Sequence, residues 1–436
     1  MTEENLKLHC LVIGAGDRGT FFGSISAAHN AKIVAVADIS EKMRNLIAEK
    51  HDIPAERIFD SGEEALNSKL PFDAVYIATP DKTHFKLAKL ALENGYNVLL
   101  EKPMALTPAE CLSLIKAQEK AGKNLTICHV LRYSPFFQTI KLIADSGELG
   151  NIISINLTED IGYWHFAHSY VRGNWRKESE SAPILLAKSS HDLDIISWLV
   201  NSTPVTVFSN GTLKVFKKEN APKTSSDRCI DCPIKDCLYD ARKFYLNHEL
   251  PIRWPYTVIS PEDTSEEGRL SAITGGQYGR CVFKCDNDVL ENQDVVIEFE
   301  NGARANFSLR CGGEKTTRRI AVQFERGEIS GNLSRGKINK IKYTGRREEG
   351  IVEEIDTGKL GGHGGGDSIL IKNFFDSIMS QNYQESLTSA GHSLQSHLIA
   401  FAAEKSRKAS KLGKVIDFKR YLKDNGVKIE DSKKEE

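Results

Sequence analysis

The apolar run LHCLVI, residues 8–13, breaks into GAGDRG, which sets Gly14, Gly16 and Gly19 in the order G-x-G-x-x-G. Glycines there permit a tight turn from strand to helix and let the backbone approach a pyrophosphate, while the helix N-terminus turns oriented N–H groups toward its charge. Such a trio alone is a weak signal. Here the surrounding pattern supports it. LHCLVIG, KIVAVAD, DAVYIAT, NVLLE and NLTICHV read as short strands, and the segments between them carry apolar residues at three- and four-residue spacing. That alternation predicts a doubly wound parallel sheet over residues 1–130.

After SPFFQTIKLIADSGELG the character changes. NIISINLTE, VTVFSNGTLKVF, DVVIEFENGARANFSLR and IAVQFERGEISGN alternate apolar and polar residues and are joined by Asn-Gly or Gly turns, which predicts a large open, mainly antiparallel sheet. Helices are expected from about Asp367 and from about Ser389. The expected organisation is an α/β chain with a nucleotide-binding domain over 1–130, an α+β substrate and oligomerisation domain over 131–420 with a cysteine-rich insert at 222–290, and a loose polar tail at 421–436.

Composition excludes several classes. A net charge of −1 offers no basic field for nucleic acid or an anionic membrane. No stretch approaches the 18 or so uninterrupted apolar residues of a membrane span. The opening MTEENLKLHC carries acidic residues and runs into a strand, which is not the pattern of a secretory leader. Nine cysteines, five of them between 229 and 285, do not read as a secreted disulfide framework, so a cytoplasmic location is expected.

Asp38 ends the second strand about 20 residues beyond the glycines, where a carboxylate accepts the ribose hydroxyls of a dinucleotide and repels a 2′-phosphate. NAD is therefore expected over NADP. ATPDKTH ends the third strand, and ligands sit beyond the carboxyl ends of such strands, so Thr79, Pro80 and His84 face the cofactor. His84 reads equally well as a cap of the helix it opens. EKP, residues 101–103, ends the next strand on the same edge.

GAGDRG, Asp38, ATPDKTH, EKP and RYSP in this order resemble the Gfo/Idh/MocA oxidoreductases, closely over the first 200 residues and in architecture over the whole chain. The resemblance implies an NAD-binding domain joined to an α/β domain whose open sheet supports a homo-oligomer, a dimer or tetramer, and whose near face binds a polyol or sugar. It adds Asp17, Arg18, Glu101 and Arg132 to the cofactor-binding set, and places Trp175 and Arg176 near the nicotinamide. It also implies that Lys102 contacts both the reacting hydroxyl and the nicotinamide ribose; an ammonium there can stabilise a developing alkoxide or pass on its proton.

The family's second catalytic element is a D-x-x-x-H pattern opening a helix. In LLAKSSHDLD, His191 and Asp194 match, but Ala187 stands where the Asp is expected. Lys188, three residues before His191, is the candidate to supply the missing charge, or else an exposed helix-start lysine. The stretch EDIGYWHFAHSYVRGNWR offers aromatic platforms and planar donors suited to a sugar, or simply a well-packed loop. Tyr163, His165, His168 and Arg172 are the substrate-side candidates there, joined by Asp194 and by His363 and Asp367 of GGHGGGD. That glycine-rich loop is costly to order unless backbone must approach something closely. A similar His motif occurs in family relatives that cleave glycosides.

RCIDCPIKDC and GRCVFKC give C-x2-C-x4-C and, some forty residues on, C-x3-C. Four thiolates from Cys229, Cys232, Cys237 and Cys281, with Cys285 as a competing ligand, suit a closed structural zinc site stapling the insert. An iron–sulfur cluster or disulfides remain as alternatives. The expected activity is hydride transfer between a secondary hydroxyl of a sugar, glycoside or cyclitol and NAD, with Lys102, His191 and Lys188 handling the proton. The alternative is redox-neutral glycoside cleavage, in which transient oxidation permits elimination before the cofactor returns its hydride.

Overall fold

The computed structural model describes residues 7–248, 254–359, 361, 363–383, 386–409 and 413–427. Among them the strands form two sheets. The first has six strands, β1 (Leu8–Ile13), β2 (Ala31–Ala37), β3 (Ile58–Phe59), β4 (Ala74–Ile77), β5 (Asn97–Leu100) and β6 (Leu125–Ile127), in the order β3-β2-β1-β4-β5-β6. All its pairings are parallel. The order reverses between β1 and β4, and the crevice outside their carboxyl ends is the switch point at which such sheets bind ligands. GAGDRG and ATPDKTH follow those two strands directly.

Strand alternation builds both faces of this sheet. Leu11, Ile13, Val75 and Ile77 pack on one side with Leu87, Ala88 and Leu114 from covering helices. Cys10, Val12, Tyr76 and Leu99 pack on the other with Phe22, Leu370, Phe374 and Phe375. The helix Gly366–Met379, late in the chain, thus returns to cover the first sheet and carries Asp367 in its first turn.

The second sheet contains β7 (Ile152–Gly162), β8 (Pro204–Thr212), β9 (Asn292–Phe299), β10 (Arg304–Gly313), β11 (Thr317–Phe324), β12 (Gly327–Asn332), β13 (Lys337–Lys342), β14 (Ile351–Asp356) and β15 (Ile416–Asp417). Its order is β14-β13-β12-β11-β7-β10-β9-β8-β15. Its pairings are antiparallel except β7 with β10, which makes the sheet mixed but mainly antiparallel, as the alternating strands predict. One face packs on the helices Ser190–Val200 and Ala390–Ala409 through Leu157, Phe307, Ile297, Leu193, Ile196 and Ala403.

The cysteine-rich insert folds as short helices, Ala241–Tyr245, Tyr256–Ile259 and Glu266–Gly275, around a small core of its own that includes Tyr245, Tyr256, Ile273 and Tyr278. An antiparallel bridge between Arg228 and Arg280 joins its two ends. The polar tail expected from 421 begins later than that, because the helix Phe418–Asp424 buries Tyr421 and Leu422; residues 428–436 lie outside the described residues. Among the described residues no helix is long and apolar enough to cross a membrane.

Candidate active site

The glycine loop is shaped by its own backbone. Gly14 sits at φ +95°, and a Cβ on it would lie 2.6 Å from the Ala78 carbonyl oxygen. A Cβ on Gly19 would lie 1.9 Å from the carbonyl oxygen of Gly14, so these two positions let strand, turn and helix pack together. Gly16 differs: a Cβ there meets nothing within 4 Å, which leaves an open approach to the helix N-terminus. The helix Asp17–Ser26 has no side-chain cap on its first N–H groups. Asp38 accepts from the backbone N–H of Ala15 at 2.6 Å and of Ser40 at 2.8 Å. Each carboxylate oxygen keeps a further lone pair for a ribose hydroxyl. Open glycine, uncapped helix and buttressed carboxylate together fit a dinucleotide.

Beside this cradle the two domains meet. Lys102, just beyond β5, donates from Nζ to the backbone carbonyl of Ala187. His191, four residues on, is 4% exposed, and its Nδ1 is buried without a partner. Burial first, and then the Lys102 charge, hold the His191 imidazole well below its ordinary pKa, so it is a neutral base at working pH. The His363 ring lies 5.8 Å from that of His191, and its Nδ1 is 3.0 Å from Asp367 Oδ2. Lys188 Nζ lies 3.6 Å from Glu159 Oε1; burial lowers the lysine's pKa, and the carboxylate opposes that shift.

Glu159 escaped notice in the sequence. It lies on β7, accepts from Arg318 at 2.6 Å and from Ser189 at 3.1 Å, and shares Arg318 with Asp192. It places a carboxylate against Lys188 where Ala187 has none to offer. The strand's inward alternation marked it as buried, but only the cross-sheet pairing with Arg318 shows why a charge is tolerated there.

Several expected ligand residues are committed elsewhere. Arg18 donates to Glu101 at 2.6 Å and to Asp367 at 2.7 Å, fastening the glycine loop to EKP and to the late helix. His84 is buried with its ring nitrogens 2.7 Å from the Pro103 carbonyl and 2.8 Å from that of Thr79; it ties two loops together and does not face the cofactor cleft. Thr79 Oγ1 accepts from Thr83 at 2.7 Å, beside an exposed Pro80. Arg132 grips Asp194 with bonds of 2.6 and 2.7 Å, and both are buried. Asp17 is exposed at the helix start.

The aromatic stretch divides in the same way. Trp175 reaches back to Asp81 at 3.4 Å and so stands at the nucleotide side. Arg176 pairs with Glu180 and Asp286. Arg172, buried, donates to the carbonyls of Arg280 and Tyr239, both at 2.7 Å, and thereby holds the insert. His168 is buried, accepts or donates to Tyr245 at 2.8 Å and stacks on Tyr278 at 4.8 Å, so it belongs to the seam under the insert. Tyr163 and His165 are half-buried, His165 bonding Thr316 at 3.0 Å. Trp254, from the insert, packs 4.8 Å from the His165 ring and is a second residue the sequence did not single out.

Residues 8–129 match the oxidoreductase family with an NAD-binding Rossmann fold, and residues 141–415 match the C-terminal alpha/beta domain of the same family. The chain belongs to the Gfo/Idh/MocA oxidoreductase family. Its relatives in that family include YteT of Bacillus subtilis (strain 168), 25% identical over 330 residues, 72% of this chain and 74% of YteT. Inositol 2-dehydrogenase 1 of Saccharopolyspora erythraea is 29% identical over 198 residues, 45% of this chain and 54% of that enzyme, so the chain spans about half its length. In fold, a levoglucosan dehydrogenase solved with NADH and levoglucosan superposes with a TM-score of 0.69 at 17% identity, covering 94% of this chain and 99% of that one. This Gfo/Idh/MocA member therefore carries both halves of the family architecture.

The expected zinc site is not supported. Among the described residues no group of three or more His, Cys, Asp or Glu side chains is arranged to hold a metal ion. Cys229, Cys232, Cys237 and Cys281 do line one small cavity, but they share it with Arg172, Arg228 and Arg242. Arg172 Nη2 donates toward Cys229 Sγ at 3.4 Å, and Cys285 Sγ bonds the Cys281 carbonyl at 3.4 Å. All nine cysteines are free thiols. The insert is held by its aromatic core and by Arg172.

Proposed function

We propose that this chain transfers a hydride between a secondary hydroxyl of a sugar, glycoside or cyclitol and NAD. The observation that carries this reading is the meeting of Lys102 and His191 across the domain junction, beside the glycine cradle. Bound NAD would supply the hydride acceptor. Lys102 holds the substrate hydroxyl and offsets negative charge on its oxygen. His191, neutral and buried, takes the hydroxyl proton. Half-buried Tyr163, His165 and Trp254 offer ring faces to the C–H side of a pyranose or cyclitol. The inositol and levoglucosan dehydrogenases among its relatives and fold neighbours support a polyhydroxylated ring as the substrate class.

One observation favours redox-neutral glycoside cleavage as a second reading: the His363–Asp367 pair sets another proton carrier beside His191. A panel of free sugars, cyclitols and aryl glycosides with NAD separates the two. Accumulation of NADH supports the first reading, and aglycone release without net NADH supports the second. Neither signal over the panel overturns both.

A further inference from the structure

We propose that the cysteine-rich insert and its flank hold a second binding site, a basic basin that takes the phosphoryl group of a small molecule. The basin is lined by Lys218, Asp227, Arg228, Arg280, Lys284 and Cys285 and has a volume of about 550 Å³. That falls within the range of about 300–1,000 Å³ in which proteins seat small ligands. Four cations and one carboxylate border it, although the chain as a whole carries a net charge of −1. Burial pushes the Cys285 thiol up, so it adds no charge.

The backbone holds two of these cations together. Arg228 and Arg280 face each other across the antiparallel bridge that joins the ends of the insert. The Cys229 N–H donates to the Gly279 carbonyl and the Cys281 N–H to the Asp227 carbonyl, both at 2.8 Å, so the pairing extends to either side. Like charges directly opposite each other on paired strands are destabilising. An anion seated against both removes that repulsion.

Hydrogen-bond accounting points the same way. Arg228 Nη2 donates to the carbonyls of Ile273, at 3.0 Å, and Gly276, both neutral acceptors, while its Nε is buried without an acceptor. Arg280 Nη1 donates to Asp286 at 2.7 Å, while its Nε and Nη2 are buried without one. Asp286 also pairs with Arg176 at 3.0 Å and Lys177 at 2.8 Å, so one carboxylate answers three cations. Lys284 is paired with Asp227 at 3.1 Å. Lys218 is exposed, and no ion pair joins it to a carboxylate among the described residues. Buried donors without acceptors are rare in folded proteins, and here three belong to two adjoining arginines. A phosphoryl group offers several charged acceptor oxygens in the geometry that guanidinium forks match. Exposed Asp227 and Asp286 interrupt any continuous basic track, which favours a small ligand over a nucleic-acid backbone.

The test uses the full chain with NAD at saturation, so that a filled glycine cradle cannot account for phosphate uptake. Inorganic phosphate, a hexose 6-phosphate and ADP are each titrated by calorimetry and 31P NMR. At least one should bind, and its affinity should fall about tenfold or more in Arg280→Gln and in Lys218→Glu, the loss of one charge-assisted contact. Lys120→Glu, an exposed charge reversal outside the basin, should leave it unchanged. Tightest binding of inorganic phosphate assigns the free anion as occupant; tightest binding of the hexose phosphate or ADP assigns the phosphorylated molecule. Binding of none of the three overturns the proposal. So does binding that Arg280→Gln and Lys218→Glu leave unchanged, or that Lys120→Glu weakens equally. Should Arg280→Gln fail to fold, the exposed Lys218→Glu decides alone. The readout needs no turnover, so failure to find a sugar substrate is distinguishable from failure of this inference.

Discussion

Lys102, at the edge of the parallel sheet, donates its ammonium to the backbone carbonyl of Ala187 in the other domain. That carbonyl is a neutral acceptor, so the contact pairs the ammonium with no carboxylate. His191, four residues further, stays neutral partly because that charge is near.

Lys102→Met should keep the fold and NAD binding while turnover falls by about 10²–10⁴, the range for a positioned acid–base group. Neutral Met can neither offset an alkoxide nor relay its proton. Circular dichroism, NAD titration and turnover on the true substrate check this. Normal turnover would reduce Lys102 to a strand-end residue.

The glycines divide by role. Gly16→Ala should leave the melting temperature of the cofactor-free protein unchanged yet weaken NAD, because its Cβ enters space the protein leaves open. Gly19→Ala should lower both, since its Cβ falls on the Gly14 carbonyl. Thermal melts with and without NAD distinguish the two. Equal behaviour of the variants would refute the assignment of Gly16 as the approach side.

Asp38→Ala should narrow the preference for NAD over NADP by about tenfold, equivalent to about 1.4 kcal/mol. The carboxylate that accepts ribose hydroxyls also repels a 2′-phosphate, so its loss acts on both cofactors. Dissociation constants for the two, measured side by side, decide it. Equal affinity of the unaltered protein for both would remove the argument.

Acid should destabilise the protein through buried histidines. Burial, aided by Arg172, pushes His168 down to about 3, and burial, aided by His129, pushes His397 down to about 3, against 6.5 for a free ring. Between those values the unfolded chain binds protons that the folded chain does not, so stability falls as pH falls from 6.5 toward 3. Each ring contributes a slope of up to about 1.4 kcal/mol per pH unit. Denaturant unfolding of His397→Gln across that window should show a shallower slope than the unaltered protein. An unchanged slope would mean that His397 does not stay neutral.

The parallel sheet, its switch point, the mainly antiparallel second sheet and the place of Asp38 after the second strand were legible from order and periodicity, while Lys102 and His191 were singled out with the help of the family resemblance. These rest on local rules: glycine where backbone must approach backbone, alternation along strands, a charged residue at a strand's carboxyl end. What local rules could not show is which charged side chains are already spent. Arg18, Arg132 and Arg172 read as ligands for a cofactor or sugar, yet Arg18 is bound by Glu101 and Asp367, Arg132 by Asp194, and Arg172 by the carbonyls of Arg280 and Tyr239. Some of those partners are hundreds of residues away, and a guanidinium's availability depends on the acceptors that folding brings to it. The cysteine spacing matched a metal knuckle, but spacing does not fix the direction of a thiol, and arginines occupy the same cavity. Glu159 was silent for the converse reason. A carboxylate in a strand acquires chemistry only when folding places Lys188 and Arg318 against it.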